Sequence, residues 1–349
     1  MIMYFLYFLF AVHSFFLVGA PTPTKAVLVQ HSMNIAMATL IGGLGLKPIS
    51  SGFDINCSRP MIFHIIDLNK EEYEQNITVN MKEFTSAAAN NSMIVSHTIN
   101  GYYETTNVLV LDVIGYDFLF FDRFMSSEIN NKTARDFGVY SKKRAKTFRF
   151  RLDVNANVAL TVEELLPNSD WEFPIINEGT TFGLCFGKEE CVFVLLTCCS
   201  VFFIFFYFSD MCTGYAGFKG KPYCHAYGYE FRHEVNMEHQ PSNGATGMAS
   251  MAMIKYHVCQ GLDKETGKRM NQKFVRPYHY FSEPWFVPRP NGTKEDDGVV
   301  LTLALDGAVG KGVLYVLNAS DLDVMATMPL PVLVNLKTHG RFVWDATMN

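Results

Sequence analysis

Histidine and cysteine are the side chains best suited to hold a metal, and this chain has ten of the first and eight of the second. The cysteines form no CxxC pair, so their spacing does not point to a structural zinc site. The histidines are scattered and make no short ligand motif. Taken alone, His97 in SHTIN is a single imidazole at a strand end, which is more often structural than ligating. His64 in PMIFHIIDL has no partner motif, and His225, His233, His239, His257 and His279 read as surface or structural residues. His339, followed by Gly340, closes a series of three apolar runs and reads as an imidazole at the end of a β-meander. Spacing by itself therefore specifies no site.

Several segments, taken in order, resemble the carotenoid cleavage oxygenases, the family of the β-carotene dioxygenases and the retinoid isomerohydrolase. They are AVHSFFLV from Ala11, SHTIN around His97, WEFPIIN from Trp171, GFKGKPYCHAYGYEF from Gly217, SEPWFVPRP from Ser282, EDDGVVL from Glu295, and the late HGRF. The resemblance implies an all-β, seven-bladed propeller holding one Fe(II) on its axis through four histidines. Ligands on such an axis come from different blades, which is why no short spacing motif is expected. Carried onto this chain, the ligands are His13, His97 and His339, with His31 in AVLVQHSMNI as a rival to His13. Neutral imidazoles suit Fe(II). Glu172 and Glu283 are expected to accept imidazole N–H protons and so fix tautomer and ring orientation. Asn100 is expected as a polar support near His97, and Phe173 as a lining residue of the substrate cavity.

The resemblance further implies an apolar polyene and dioxygen as substrates, with one double bond cleaved to two carbonyl products, and a membrane surface as the polyene's source. Two alternatives stay open: retinyl ester isomerohydrolysis, and a non-catalytic, membrane-associated fragment. The family's opening blades, with a further histidine, have no counterpart here, so the propeller is expected to be incomplete and the polypeptide weakly active or inactive.

The positioning elements are expected to be strands. Val299–Leu305 and Val313–Leu317 flank the turn Gly307–Gly312, a hairpin signal, and Pro329–Val334 reads as the next strand. Pro60–Leu68, two runs within Ser92–Asp117, Trp171–Asn177, Tyr223–Phe231 and Met253–His257 also read as strands, with Gly261–Gly267 a polar turn. Glu71–Glu83 reads as a loop or edge strand. The basic stretch Lys142–Phe150 reads as a solvated loop or an edge strand with gatekeeper charges.

An apolar content of 49% with 18% charged residues fits a well-cored globular protein. The net charge of −5, without a basic stripe, argues against nucleic acid as a partner. The cysteine pattern suggests reduced thiols in an intracellular, cytoplasmic protein. Two apolar stretches, Met1–Ala20 and Cys191–Phe208, approach the length of a membrane span. The first has no basic residue before Lys25, unlike a signal peptide, although it ends in small residues. The second lies in 178–216, which separates the family's EFP-type and GKPY-type motifs. It is expected to be an insertion foreign to the fold, such as retained intron sequence, or else a transmembrane element. The propeller's middle blades then occupy 1–177 and its closing blades 217–349.

Overall fold

The run Val108–Tyr116, VLVLDVIGY, is apolar at nearly every position, as expected of a strand buried on both faces rather than one. The computed structural model places it as an interior strand and explains its composition. The structure describes residues 15–22, 25–30, 33–34, 54–55, 57–67, 72–117, 145–167, 169–178, 184–186, 190–197, 200–206, 217–231, 251–259, 271–290, 292–332 and 334.

The elements are almost all strands, arranged as antiparallel sheets of consecutive segments. β1 (Phe15–Thr22) and β2 (Lys25–Gln30) begin the first sheet. A short pair, β3 (Met33–Asn34) and β4 (Asp54–Ile55), precedes β5 (Met61–Asp67) and β6 (Glu72–Val79), giving the order β1-β2-β5-β6. After a single helical turn, α1 (Met81–Phe84), the second sheet follows. It comprises β7 (Ile94–Tyr103), β8 (Val108–Tyr116), β9 (Lys146–Asp153) and β10 (Val158–Glu164).

β11 (Trp171–Ile175) opens the third sheet. β12 (Leu184–Phe186), β13 (Glu190–Thr197) and β14 (Ser200–Phe206) form a separate three-stranded sheet. β15 (His225–Phe231), β16 (Met251–His257) and β17 (Gln272–Val275) then complete the order β11-β15-β16-β17. The last sheet holds β18 (His279–Phe281), β19 (Trp285–Pro288), β20 (Gly298–Asp306), β21 (Lys311–Asn318) and β22 (Val324–Pro329).

Three apolar cores join these sheets in sequence. Phe63, Ile77, Leu111 and Phe150 pack the first sheet on the second. Val110, Ile114, Trp171 and Ile254 pack the second on the third. Phe173, Tyr227, Phe281 and Val300 pack the third on the fourth. Successive residues of β8 thus enter different cores, which is why its alternation is lost. β20 keeps a regular alternation of buried and half-buried residues, and its hairpin with β21 turns at 307–310 as the glycines predict.

Three expectations are corrected. The basic stretch before Phe150 is no edge: β9 pairs with both β8 and β10, and Arg149 is buried in an ion pair. The strand following the 299–317 hairpin is Val324–Pro329 rather than Pro329–Val334; it pairs with β21 on one side and all six residues are exposed. Cys224 and Cys259 form a disulfide, because the antiparallel register that pairs His225 with His257 brings the residues flanking them together. The EDDG carboxylates serve the scaffold: Glu295 accepts from the amides of Cys224 and His225, Asp296 from buried Lys255, and Asp297 from Arg289. The edge position expected for 71–83 does hold, since β6 closes one side of the first sheet.

The apolar run 191–208 falls mainly on the paired strands β13 and β14. No helix among the described residues is long and apolar enough to cross a membrane. The chain leaves the third sheet and returns to it at one point: the Phe218 amide donates to the Asn177 carbonyl at 2.7 Å, and Lys219 pairs with Glu178 at 2.8 Å. β11 and β15 then pair directly, without any residue of the intervening stretch.

Candidate metal-supporting site

Regular strands send neighbouring side chains to opposite faces, so two adjacent residues seldom reach one partner. Two irregular strands overcome this here. On β7, Val95 pairs with Gly115 and His97 with Ile114, leaving Ser96 as the extra residue of a bulge. A second shift follows between Thr98 and Asn100. On β11, Glu172 pairs with Tyr229 and Ile175 with Tyr227, so Phe173 and Pro174 together oppose Gly228. Proline is tolerated at such a bulge because no ladder amide is required of it. Phe173 takes φ 52°, a left-handed conformation that costs a bulky side chain about 1–3 kcal/mol.

These bulges bring the side chains together. The Glu172 side chain is fully buried, and its Oε2 lies 2.6 Å from His97 Nδ1. A carboxylate only accepts, so Nδ1 carries a proton, and in the neutral ring Nε2 is the nitrogen with the lone pair. Ser96 Oγ donates to Glu172 Oε1 at 2.8 Å, and the Tyr116 hydroxyl donates to the same oxygen. The Phe173 ring lies against the His97 imidazole, centroids 4.6 Å apart, and stacks on Tyr229 at 5.1 Å. Gly228 makes this approach possible: a Cβ there would lie 2.5 Å from Trp171 Cε3 and 2.8 Å from the Glu172 carbonyl. The His97 side chain retains 24% of its exposure, so the imidazole borders accessible space while its carboxylate partner does not.

A neighbouring network fixes the scaffold. Asp112 on β8 pairs directly with Arg149 on β9, in a two-bond ion pair of 2.7 and 2.6 Å. Tyr223 donates to the same Asp112 carboxylate at 2.6 Å. Burial opposes the Arg149 charge, but the hydrogen bonds and charge of Asp112 hold its pKa above the usual range. Burial, followed by the Asp112 charge, pushes the Tyr223 phenol well above its ordinary value. Asn100 belongs to this scaffold. Its amide donates to the carbonyls of Phe218 and Lys221, and its oxygen accepts from the amides of Gly101 and Gly220. Its support goes to the turn that begins the GKPY motif, rather than to the imidazole.

Of the residues expected from sequence, Glu172 and Phe173 both meet His97. Glu283 is half-buried between β18 and β19 in the fourth sheet. His13, His31 and His339 lie outside the described residues. No group of three or more metal-binding side chains occurs among the described residues. The donor set around His97 nevertheless suits a metal ligand: one imidazole nitrogen is committed to a buried carboxylate, and the other has the lone pair a cation needs. Sequence reasoning did not find Ser96, Tyr116 or Gly228. Ser96 acts through a bulge, Gly228 through a close approach and Tyr116 by reaching Glu172 from another strand, none of which leaves a residue-type signal.

A profile of the retinal pigment epithelial membrane protein family matches residues 8–184 and 188–344. A carotenoid dioxygenase of Neurospora crassa is 42% identical over 65 residues, 19% of this chain and 11% of that protein. An apocarotenoid-15,15'-oxygenase of Synechocystis is 35% identical over 81 residues, 23% of this chain and 16% of that protein. Among solved structures, a cobalt-substituted Synechocystis apocarotenoid oxygenase aligns with a TM-score of 0.59 at 20% identity, covering 93% of this chain and 52% of its own. A chimera of that enzyme with RPE65 gives 0.56 at 20% identity, covering 92% and 51%. The chain therefore spans about half the length of the solved structures it resembles.

Proposed function

The chain belongs to the retinal pigment epithelial membrane protein family, that of the carotenoid oxygenases, and from that premise we propose that it serves Fe(II)-dependent oxidative cleavage of a carotenoid or apocarotenoid double bond to aldehydes. The observation that carries the reading is the His97–Glu172 pair, an imidazole whose Nδ1 is held by a buried carboxylate. In this reading His97 Nε2 is one metal ligand, His13 and His339 supply others, and Glu283 supports a second imidazole as Glu172 supports the first. The sheets are blades of a seven-bladed propeller, middle blades in 1–177 and closing blades in 217–349. Residues 178–216 are an insertion, a reading supported by the direct β11–β15 pairing and the 2.7 Å contact between Asn177 and Phe218.

Bound iron supplies the one-electron chemistry that lets dioxygen react with a closed-shell polyene. The residues of this chain prepare for that event. Glu172 accepts the N–H of His97 Nδ1 and so makes Nε2 the basic nitrogen of the neutral ring. Phe173 packs on the imidazole and, though only 4% exposed, would line the apolar cavity that takes a polyene. With no protein acid, base or nucleophile required, the bond that is cut is set by where the cavity holds the chain. The substrate would reach a peripherally associated protein from a membrane surface.

The test incubates the purified chain with Fe(II), air and β-carotene or an apocarotenal, and identifies the products. Aldehydes that disappear in His97→Ala support the reading. Retinol from a retinyl ester, without aldehydes from a polyene, would replace it with the isomerohydrolase reaction.

A further inference from the structure

We propose that Ser96 and Tyr116 are positioning residues that set the plane of the Glu172 carboxylate, and through it the tautomer and direction of the His97 imidazole. The inference rests on the metal reading of His97 for its purpose, but not for its geometry. Glu172 divides its two oxygens between two tasks: Oε2 takes the imidazole proton, while Oε1 takes two hydroxyls. Rotation about the bond to the carboxyl group would break all three bonds together. The hydroxyls thus fix the angle at which Oε2 meets the ring.

Two further features support a built arrangement. The first is that Ser96 and His97 are adjacent, and only the bulge at Ser96 allows both to reach the same carboxylate. Ser96 Oγ also lies 3.2 Å from the Ile114 carbonyl on the partner strand, a second and longer acceptor for its single proton. Tyr116 comes from the far end of β8, four residues beyond Asp112 and on the same face of the strand. The second feature is the source of charge balance. Among the described residues, no lysine or arginine pairs with Glu172, whose partners are two hydroxyls and an imidazole. A fully buried carboxylate that no lysine or arginine among the described residues neutralises is suited to a positive charge that arrives through the imidazole.

The test uses the full chain with Ser96→Ala, Tyr116→Phe and the double variant, with Ser96→Thr as the conservative control. The first readout is the His97 ring in the metal-free protein, by nitrogen NMR of histidine-labelled chain. The wild type and Ser96→Thr should show the Nδ1–H tautomer with a slowly exchanging proton, and the double variant a mixture of tautomers with fast exchange. The second readout is anaerobic Co(II) titration, in which the double variant should bind about 10–100-fold more weakly, with an altered visible spectrum. Unfolding of the metal-free chain is followed in parallel. An unchanged Nδ1–H tautomer and exchange rate in the double variant would overturn the proposal, whatever the metal does. A wild type that shows the tautomer but binds no Co(II) would instead overturn the metal reading and leave the positioning role supported.

Discussion

Two carboxylates, Asp112 on β8 and Glu172 on β11, are fully buried, and they are satisfied in opposite ways. Asp112 is closed by a cation: Arg149 grips it with two bonds and Tyr223 adds a third. Glu172 is closed by two hydroxyls and an imidazole, and the last of these, His97, keeps part of its ring accessible. One face of β8 serves both, with Asp112 at one position and Tyr116 four residues later. The difference shows what to look for in a β-rich interior. A buried ion pair closed by three hydrogen bonds is a fastener, whereas a buried carboxylate bonded to a partly accessible imidazole prepares that imidazole for something else.

The comparison is tested most severely by breaking the fastener. Arg149→Met leaves Asp112 buried without its cation and should cost about 3–5 kcal/mol of stability, read by denaturant unfolding. Replacing Asp112 and Arg149 together by apolar residues of similar size should recover most of that loss. If Arg149→Met proves mild, the pair is not the closed structural unit described. Glu172→Gln should behave differently, with a metal affinity about 10–100-fold lower and a smaller effect on unfolding. Equal effects of the two substitutions on metal binding would erase the distinction between the carboxylates.

Gly228→Ala probes the same centre through the backbone. Its Cβ would press on Trp171 and the Glu172 carbonyl, so β11 must shift, at a cost of about 1–3 kcal/mol and with weakened metal binding. Unaltered stability and metal binding would show that the close approach at the bulge is not required. The smallest effect concerns acid. Burial, then the Lys255 charge, lowers the His225 pKa to about 4, and the same causes lower His257. The unfolded chain, with histidine near about 6.5, therefore binds more protons between these values. This contribution to stability is complete above pH ~6.5 and is lost as pH falls toward ~4. His225→Phe should flatten the stability profile in that window while leaving Co(II) affinity unchanged; a profile of unchanged slope would refute the assignment.

Much of this was legible in the sequence, and the exceptions share a cause. The hairpin around Gly307–Gly312 announces itself through composition, and WEFPIIN and SHTIN led to Glu172 and His97 through family likeness. Ser96 was invisible because its role depends on a bulge, and a bulge is a matter of register rather than of residue type. Arg149 was misread because a basic stretch suggests solvent, and only the partner strand shows that Asp112 waits opposite it. The Cys224–Cys259 bond was missed for the same reason: their separation of 35 residues is closed by strand pairing, not by spacing. The apolar run 191–208 was conspicuous by composition, yet its place outside the third sheet emerged only when β11 was seen to pair with β15.

The central claim is that Glu172 keeps His97 ready to bind a metal through Nε2. It is tested most directly by anaerobic Co(II) titration of the full chain beside His97→Ala and His225→Ala. The account predicts a single tightly bound ion in the wild type and in His225→Ala, and its loss in His97→Ala. Retention of that ion by His97→Ala with unchanged affinity and spectrum would contradict it.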